Sequence, residues 1–274
     1  MLLLSACAKE NLVAQVPTVT PPSTTPITYQ FESTPIWFDE FNYEGLPDNK
    51  KWSYDVGGSG WGNHELEYYT KENLKNARVE NGKLVIEAIK ENFNGNSYTS
   101  ARLITKGKGD FLYGRFEIKA KLPTGKGTWP AIWMLASQQN YSDKFWPDNG
   151  EIDIMEHVGY DPGNVHATVH TKAFNHVIGT QKGTEMMVND YNTAFHVYRL
   201  DWTPSKIEMY IDTTLYFTFE NTGKGFAEYP FDQKFHLLLN LAVGGDWGGS
   251  KGVDESIFPQ RMEVDYVRIY ALKK

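Results

Sequence analysis

Apolar and polar positions alternate with a period of two in short runs along this chain, and Gly, Asn, Asp or Pro separate the runs. The clearest are Lys83-Leu-Val-Ile-Glu-Ala-Ile89, Gly114-Arg-Phe-Glu-Ile-Lys-Ala120, Val165-His-Ala-Thr-Val-His170, Phe195-His-Val-Tyr-Arg-Leu-Asp-Trp202, Lys206-Ile-Glu-Met-Tyr-Ile-Asp212 and Val264-Asp-Tyr-Val-Arg-Ile-Tyr270. This period puts successive side chains on opposite faces of a strand, and the β-branched and aromatic residues in the runs suit a pleated, half-buried surface. Long windows of helical periodicity are missing. Many strands with turn signals between them predict an all-β fold, a jelly-roll sandwich of two packed antiparallel sheets. Between Ile36 and Tyr270 there is no second linker, composition shift or internal repeat, so one domain over residues 31–274 is expected.

The first 30 residues follow a different pattern. The single cysteine lies in Met1-Leu-Leu-Leu-Ser-Ala-Cys7, and Leu4-Ser-Ala-Cys7 resembles the bacterial lipobox, in which the cysteine is lipidated and becomes the mature N-terminus. Residues 1–7 are therefore expected to be a lipoprotein-type signal with a truncated start, since a full signal opens with a basic stretch and a longer apolar segment. Residues 8–30, rich in Pro and Thr with few charges, suit an extended tether. A protein lipid-anchored at a bacterial cell surface, or secreted, is the expectation; a short apolar start with an incidental cysteine is the alternative.

Composition narrows the function. No apolar run reaches the roughly 18–20 residues of a membrane-spanning helix. The formal charge of −7, from 27 basic and 34 acidic residues without a Lys/Arg cluster, excludes nucleic acid as a natural partner. Eight Trp, 16 Tyr and 15 Phe beside 24 Gly suit a β-rich protein with an aromatic-lined cleft.

Chemistry concentrates in Asn149-Gly-Glu151-Ile-Asp153-Ile-Met-Glu156-His-Val-Gly159. In a regular strand Glu151 and Asp153 share one face while Ile152 and Ile154 pack into the core, and Glu156 falls out of step. A β-bulge at Ile154-Met155 returns Glu156 to the face of the other two acids, and bulges are enriched beside active sites. Three carboxyls on one face are costly unless one of them keeps its proton. Retaining glycosidic hydrolysis uses such an arrangement, with two carboxyls roughly 5–5.5 Å apart as nucleophile and acid/base. A calcium site or a solvated acidic face are the alternatives.

Glu151-Ile-Asp153-Ile-Met-Glu156 resembles the E-x-D-x-x-E signature of glycoside hydrolase family 16, in its bulge-containing, laminarinase-like branch. The resemblance extends in order through Phe38-Asp-Glu40-Phe-Asn42, Gly60-Trp-Gly-Asn63-His-Glu65-Leu-Glu-Tyr-Tyr-Thr70, Ser100-Ala-Arg102-Leu-Ile-Thr-Lys106, Trp129-Pro-Ala-Ile-Trp133-Met-Leu135, His166-Ala-Thr-Val-His170 and Leu239-Asn-Leu-Ala-Val-Gly-Gly-Asp-Trp247. It implies a jelly roll with an open substrate cleft and an endo-glycanase that needs no catalytic cofactor. Glu151 would be the nucleophile, Glu156 the acid/base and Asp153 their helper. The expected partner is a β-1,3-glucan of the laminarin type, mixed β-1,3/1,4 linkages included, bound by a monomer. Lichenan, a red-algal galactan, or sugar capture by a non-catalytic lipoprotein are the alternatives.

Strand alternation puts Trp129 and Trp133 on one side, where indole faces can stack on sugar rings; core packing is the alternative. By resemblance His170 is a partner of substrate or carboxylate, unless it is a satisfied structural histidine. Asn63, Glu65 and Arg102 match polar cleft positions, and Trp247 in its Gly-rich loop suits a cleft wall; surface roles stay open for each. Relatives often carry Asn and Gln where this chain has His64 and Glu67, a departure expected to shift subsite preference. The resemblance also implies a structural calcium ion at Glu40, Gly82 and Asp265.

Overall fold

The computed structural model describes residues 28–273; Cys7 and residues 8–27 of the expected tether lie outside them. The alternating runs pair into two packed sheets of ten and eight strands. All six predicted strands form, some longer than expected, as with Lys83–Phe93 and Gln260–Tyr270. The helical turns among the described residues are His176–Ile178 and Glu255–Ile257. Pairing is antiparallel throughout except where Glu67–Tyr69 runs parallel to Asn96–Ser100, a crossover made because the hairpin of Ala77–Glu80 and Lys83–Phe93 intervenes in the chain.

The chain joins the fold where Phe31 bridges Leu272 and Lys273 N donates to the Gln30 carbonyl. In the ten-stranded sheet, Phe116, Ile118 and Ala120 face inward from Gly114–Lys121, as do Tyr198, Leu200 and Trp202 from His196–Trp202. Arg115, Glu117, Lys119 and Lys121 take the other face of the first strand and are part-exposed.

The smaller sheet runs in the order Lys182–Met187, Asn164–His170, Glu151–His157, Thr128–Ala136, Phe235–Val243, Arg102–Ile104 and Ser53–Asp55. Its central strand, Phe235–Val243, is buried at all nine positions. Phe235, Leu237, Leu239, Leu241 and Val243 enter the core between the sheets, each such side chain worth roughly 1.5–3 kcal/mol on leaving water. Asn240 and Ala242, from the alternate set, lie in the floor of a cleft on the other face.

Candidate active site

The cleft holds about 490 Å³ over the middle of the smaller sheet. Alternation in Thr128–Ala136 sends Ile132 and Met134 into the core and sets Trp129, Ala131, Trp133 and Leu135 along the cleft. Beside them Glu151–His157 is out of regular register. Trp133 pairs with Asp153 but Ile132 pairs with Met155, so Ile154 is the extra residue; on the other edge Asp153 faces Thr168 while Glu156 faces His166. Ile152, Ile154 and Met155 are all core residues. Two consecutive inward residues shift the phase by one, and Glu151, Asp153 and Glu156 all line the cleft.

Low exposure sets the proton inventory. Burial raises Glu151 to about 7, opposed by a hydrogen bond from Asp153, the positive charge of Arg102 and the Trp146 indole. Burial, then the charge of Glu151, raises Glu156 to about 8, with Trp129 Nε1 donating to its Oε1 at 3.1 Å in opposition. Asp153 is driven well above the carboxylate range by burial and then by its two neighbours, and its Oδ2 meets no donor. Glu151 therefore ionises first, while Glu156 and Asp153 keep their protons. His170 Nε2 lies 3.5 Å from Asp153 Oδ2 and 3.9 Å from Glu151 Oε1. Burial and then His176 lower the imidazole to about 4, so it stands neutral behind the acids at neutral pH.

One polar atom from each of Glu151, Asp153 and His170 falls within 4.8 Å of the others, a spacing that a metal ion could use. Arg102 places positive charge on Glu151 and Asp153 retains its proton, and both disfavour a divalent cation there. An ionised carboxylate and a protonated one on the same cleft face instead suit nucleophilic displacement with proton donation.

The walls orient these groups. The Arg102 guanidinium lies between the Trp61 and Trp133 rings, 4.7 and 4.6 Å from their centroids, and pairs with Asp55 at 3.0 Å. Trp133 Nε1 donates to Asn240 Oδ1 at 2.7 Å, Asn240 Nδ2 to Tyr69 Oη at 3.0 Å, and Tyr69 Oη to Glu65 Oε2 at 3.0 Å. Asn63 Nδ2 donates to the other Glu65 oxygen at 3.1 Å. Glu67 lies buried beneath this relay, its Oε2 accepting from Val243 N at 2.6 Å and its Oε1 meeting no donor. Burial, and then the charge of Glu65, raise Glu67 well above the carboxylate range. His64 is at the exposed rim and pairs with Asp246 at 2.9 Å.

Of the expected binding residues, Asn63, Glu65, Arg102, Trp129 and Trp133 line the cleft, while His170 is set behind the acids. Trp247 does not line the cavity: it packs edge-on against Trp129 and His166, with centroids 5.5 and 4.9 Å away, and so buttresses a wall residue. Trp61, Phe145, Trp146, His176 and Asn240 also line the cleft and were not singled out from sequence. Asn240 left a signal, a lone amide within Leu237-Leu-Leu-Asn-Leu241; Phe145 and Trp146 sit in an aperiodic loop that left none.

Far from the cleft, register brings the three expected calcium residues toward one seam. Gln260–Tyr270 pairs with Lys83–Phe93 as far as Leu84 opposite Val264, then with Trp37–Asp39 from Asp39 opposite Val267. Asp265 is the extra residue of a bulge in that gap, which Gly82 and Glu40 flank. The Glu40 carboxylate is held in a two-pronged ion pair with Arg268 at 2.7 and 2.8 Å. Asp265 holds Lys119 at 2.7 Å.

Residues 64–268 match the family model of glycosyl hydrolases family 16. The chain is 57% identical over 240 residues to a beta-glucanase of Rhodothermus marinus, covering 86% of this chain and 84% of that one. The X-ray structure of the laminarinase from Rhodothermus marinus is similar with a TM-score of 0.87 and 54% identity, over 90% of this chain and 99% of that one. SCLam, a non-specific endo-β-1,3(4)-glucanase solved as a variant with a cellobiosyl-glucose at its active site, is similar with a TM-score of 0.83 and 47% identity, over 92% and 98%.

Proposed function

This chain belongs to glycosyl hydrolase family 16 and is a glycoside hydrolase, and on that premise we propose that it cuts internal β-1,3-glucosidic bonds of laminarin-like glucans with retention of configuration. The observation that carries the mechanism is the bulge that sets Glu156 in phase with Glu151 while their proton affinities differ. A glucan chain lies along Trp129 and Trp133, its sugar faces against the indoles. Ionised Glu151 attacks the anomeric carbon as Glu156 gives its proton to the departing glycosidic oxygen, forming a glycosyl-Glu151 ester. Asp153 keeps its proton and donates a hydrogen bond to Glu151, steadying charge as it leaves and returns. Glu156, now a carboxylate, takes a proton from water, which attacks the ester and regenerates both groups.

Activity then follows a bell in pH. The acid limb reports ionisation of Glu151 and the alkaline limb loss of the Glu156 proton; both lie above ordinary carboxylate values because both groups are buried. Substrate choice is tested with laminarin, lichenan, agarose and carrageenan, sizing the products. Laminarin should be cut fastest to internal fragments, lichenan second, and the galactans left intact; for sulfated carrageenan, Arg102 is the one Lys/Arg among the described residues lining the cleft. Faster turnover of agarose than of laminarin overturns the assignment.

The cation seam and the N-terminus belong to the same reading. A calcium ion on Glu40, Gly82 and Asp265 would tie the first and last strands together and stabilise the native state by linkage, with no part in catalysis. Melting should fall when a chelator is added and recover with calcium; a melting temperature indifferent to both removes the ion. Lipid on Cys7 would hold this monomeric domain, residues 31–274, at a bacterial cell surface, and lipid labelling should disappear in Cys7→Ala.

A further inference from the structure

The bulge that aligns the two glutamates leaves a backbone group without a ladder partner. Across Glu151–Glu156, Ile154 alone is paired with neither neighbouring strand. Its carbonyl is met from the opposite sheet: Tyr216 Oη donates to Ile154 O at 2.7 Å. Tyr216 reaches it through an irregularity of its own. In Thr214–Glu220, Phe217 faces Met209 and Leu215 faces Tyr210, so Tyr216 is the extra residue of a second bulge. Regular alternation from Phe219 and Phe217 would turn Leu215 inward and Tyr216 outward; with the bulge, Leu215 is exposed and Tyr216 packs on the core beside Phe217.

We propose that Tyr216 is a positioning residue for Glu156: its hydroxyl, delivered by the bulge in one sheet, locks the bulge in the other. A buried carbonyl without a donor is costly, and the regular register that would recover a ladder partner turns Glu156 toward the core. The hydrogen bond holds the strand in the bulged state. Burial keeps the Tyr216 hydroxyl protonated, and Tyr198, Glu156 and Asp153 are the ionisable groups near it. Tyr198 Oη has no partner, so the two neighbouring phenols differ in this one contact.

The inference rests on the roles given to Glu151 and Glu156, and its test separates the two. Tyr216→Phe deletes one oxygen, with Tyr198→Phe as the control for disturbance of the core. Tyr216→Phe should lower kcat on laminarin about tenfold with KM little changed, because proton donation needs the aligned acid. Cleavage of an aryl β-glucan oligosaccharide with a phenolate leaving group should change less than twofold in its glycosylation step. The alkaline limb should move to lower pH, since a released Glu156 recovers solvent, and the acid limb should stay. Tyr198→Phe should leave kcat, both limbs and the leaving-group dependence as they are. Equal loss on both substrates, an unmoved alkaline limb, or the same response from Tyr198→Phe overturns the proposal. Should Tyr216→Phe fail to fold, Tyr216→Met, which fills the space without a hydroxyl, replaces it, and an unmoved alkaline limb there overturns it too. If Glu156→Gln itself lacks leaving-group rescue, the underlying assignment fails whatever Tyr216 does.

Discussion

Glu151→Gln should reduce hydrolysis of every substrate by on the order of 10⁴-fold or more, a loss typical of removing a group that bonds to the reacting centre. The amide cannot form the glycosyl ester, so aryl glycosides with excellent leaving groups should fare no better than laminarin. Rapid quenching followed by mass measurement of the protein should find no covalent sugar on the variant. The fold should tolerate the change, because Glu151 lines the cleft and burial already favours its uncharged form. A variant that accumulates glycosyl-enzyme would move the nucleophile elsewhere, with Asp153 as the nearest carboxyl.

Glu156→Gln carries the second large effect, and it should depend on the substrate. On laminarin the departing sugar oxygen needs a proton, and losing its donor should cost about 10²–10⁴-fold in kcat. On an aryl glycoside the phenolate leaves unaided, so the first step should proceed at near-normal speed and the glycosyl-enzyme should build up, because the second step lacks its base. Azide, which needs no base, should rescue turnover by attacking the ester. The pH profile is a further check: the alkaline limb belongs to Glu156, whose proton is held by burial and by the Glu151 charge, and should vanish in this variant. Persistence of the limb together with equal loss on both substrates would remove Glu156 from the acid/base role.

The acids and both tryptophans could be placed from sequence because their signals are local. Alternation in Thr128–Ala136 puts both tryptophans on one side, and Glu156 announces a bulge by falling out of step with Glu151 and Asp153. The second bulge gave no such sign. Leu215, Phe217 and Phe219 fit a regular strand, and what turns Tyr216 inward is a carbonyl on the other sheet, a contact between residues 62 apart. Trp247 was less legible because a Gly-rich loop states flexibility but not direction; its edge packing on Trp129 and His166 needs the assembled sheet. Glu67 looked like a change in sugar recognition, yet its carboxyl is buried and accepts from the Val243 backbone N–H instead of facing the cleft. Asn240 joins Trp133 to Tyr69 across a separation of 107 residues on one side and 171 on the other, so only the assembled sheet shows its part in the relay.

The central claim, that Glu151 and Glu156 act from one face across a bulge as nucleophile and acid/base, is tested most directly by the anomeric form of the first product. Proton NMR of laminarin hydrolysis, recorded before mutarotation, should show the β-anomer appear first and the α-anomer follow as the sugar equilibrates. Two displacements at one carbon restore the starting configuration. An α-anomer appearing first would mean that water attacks directly, and would contradict a glycosyl bond to Glu151.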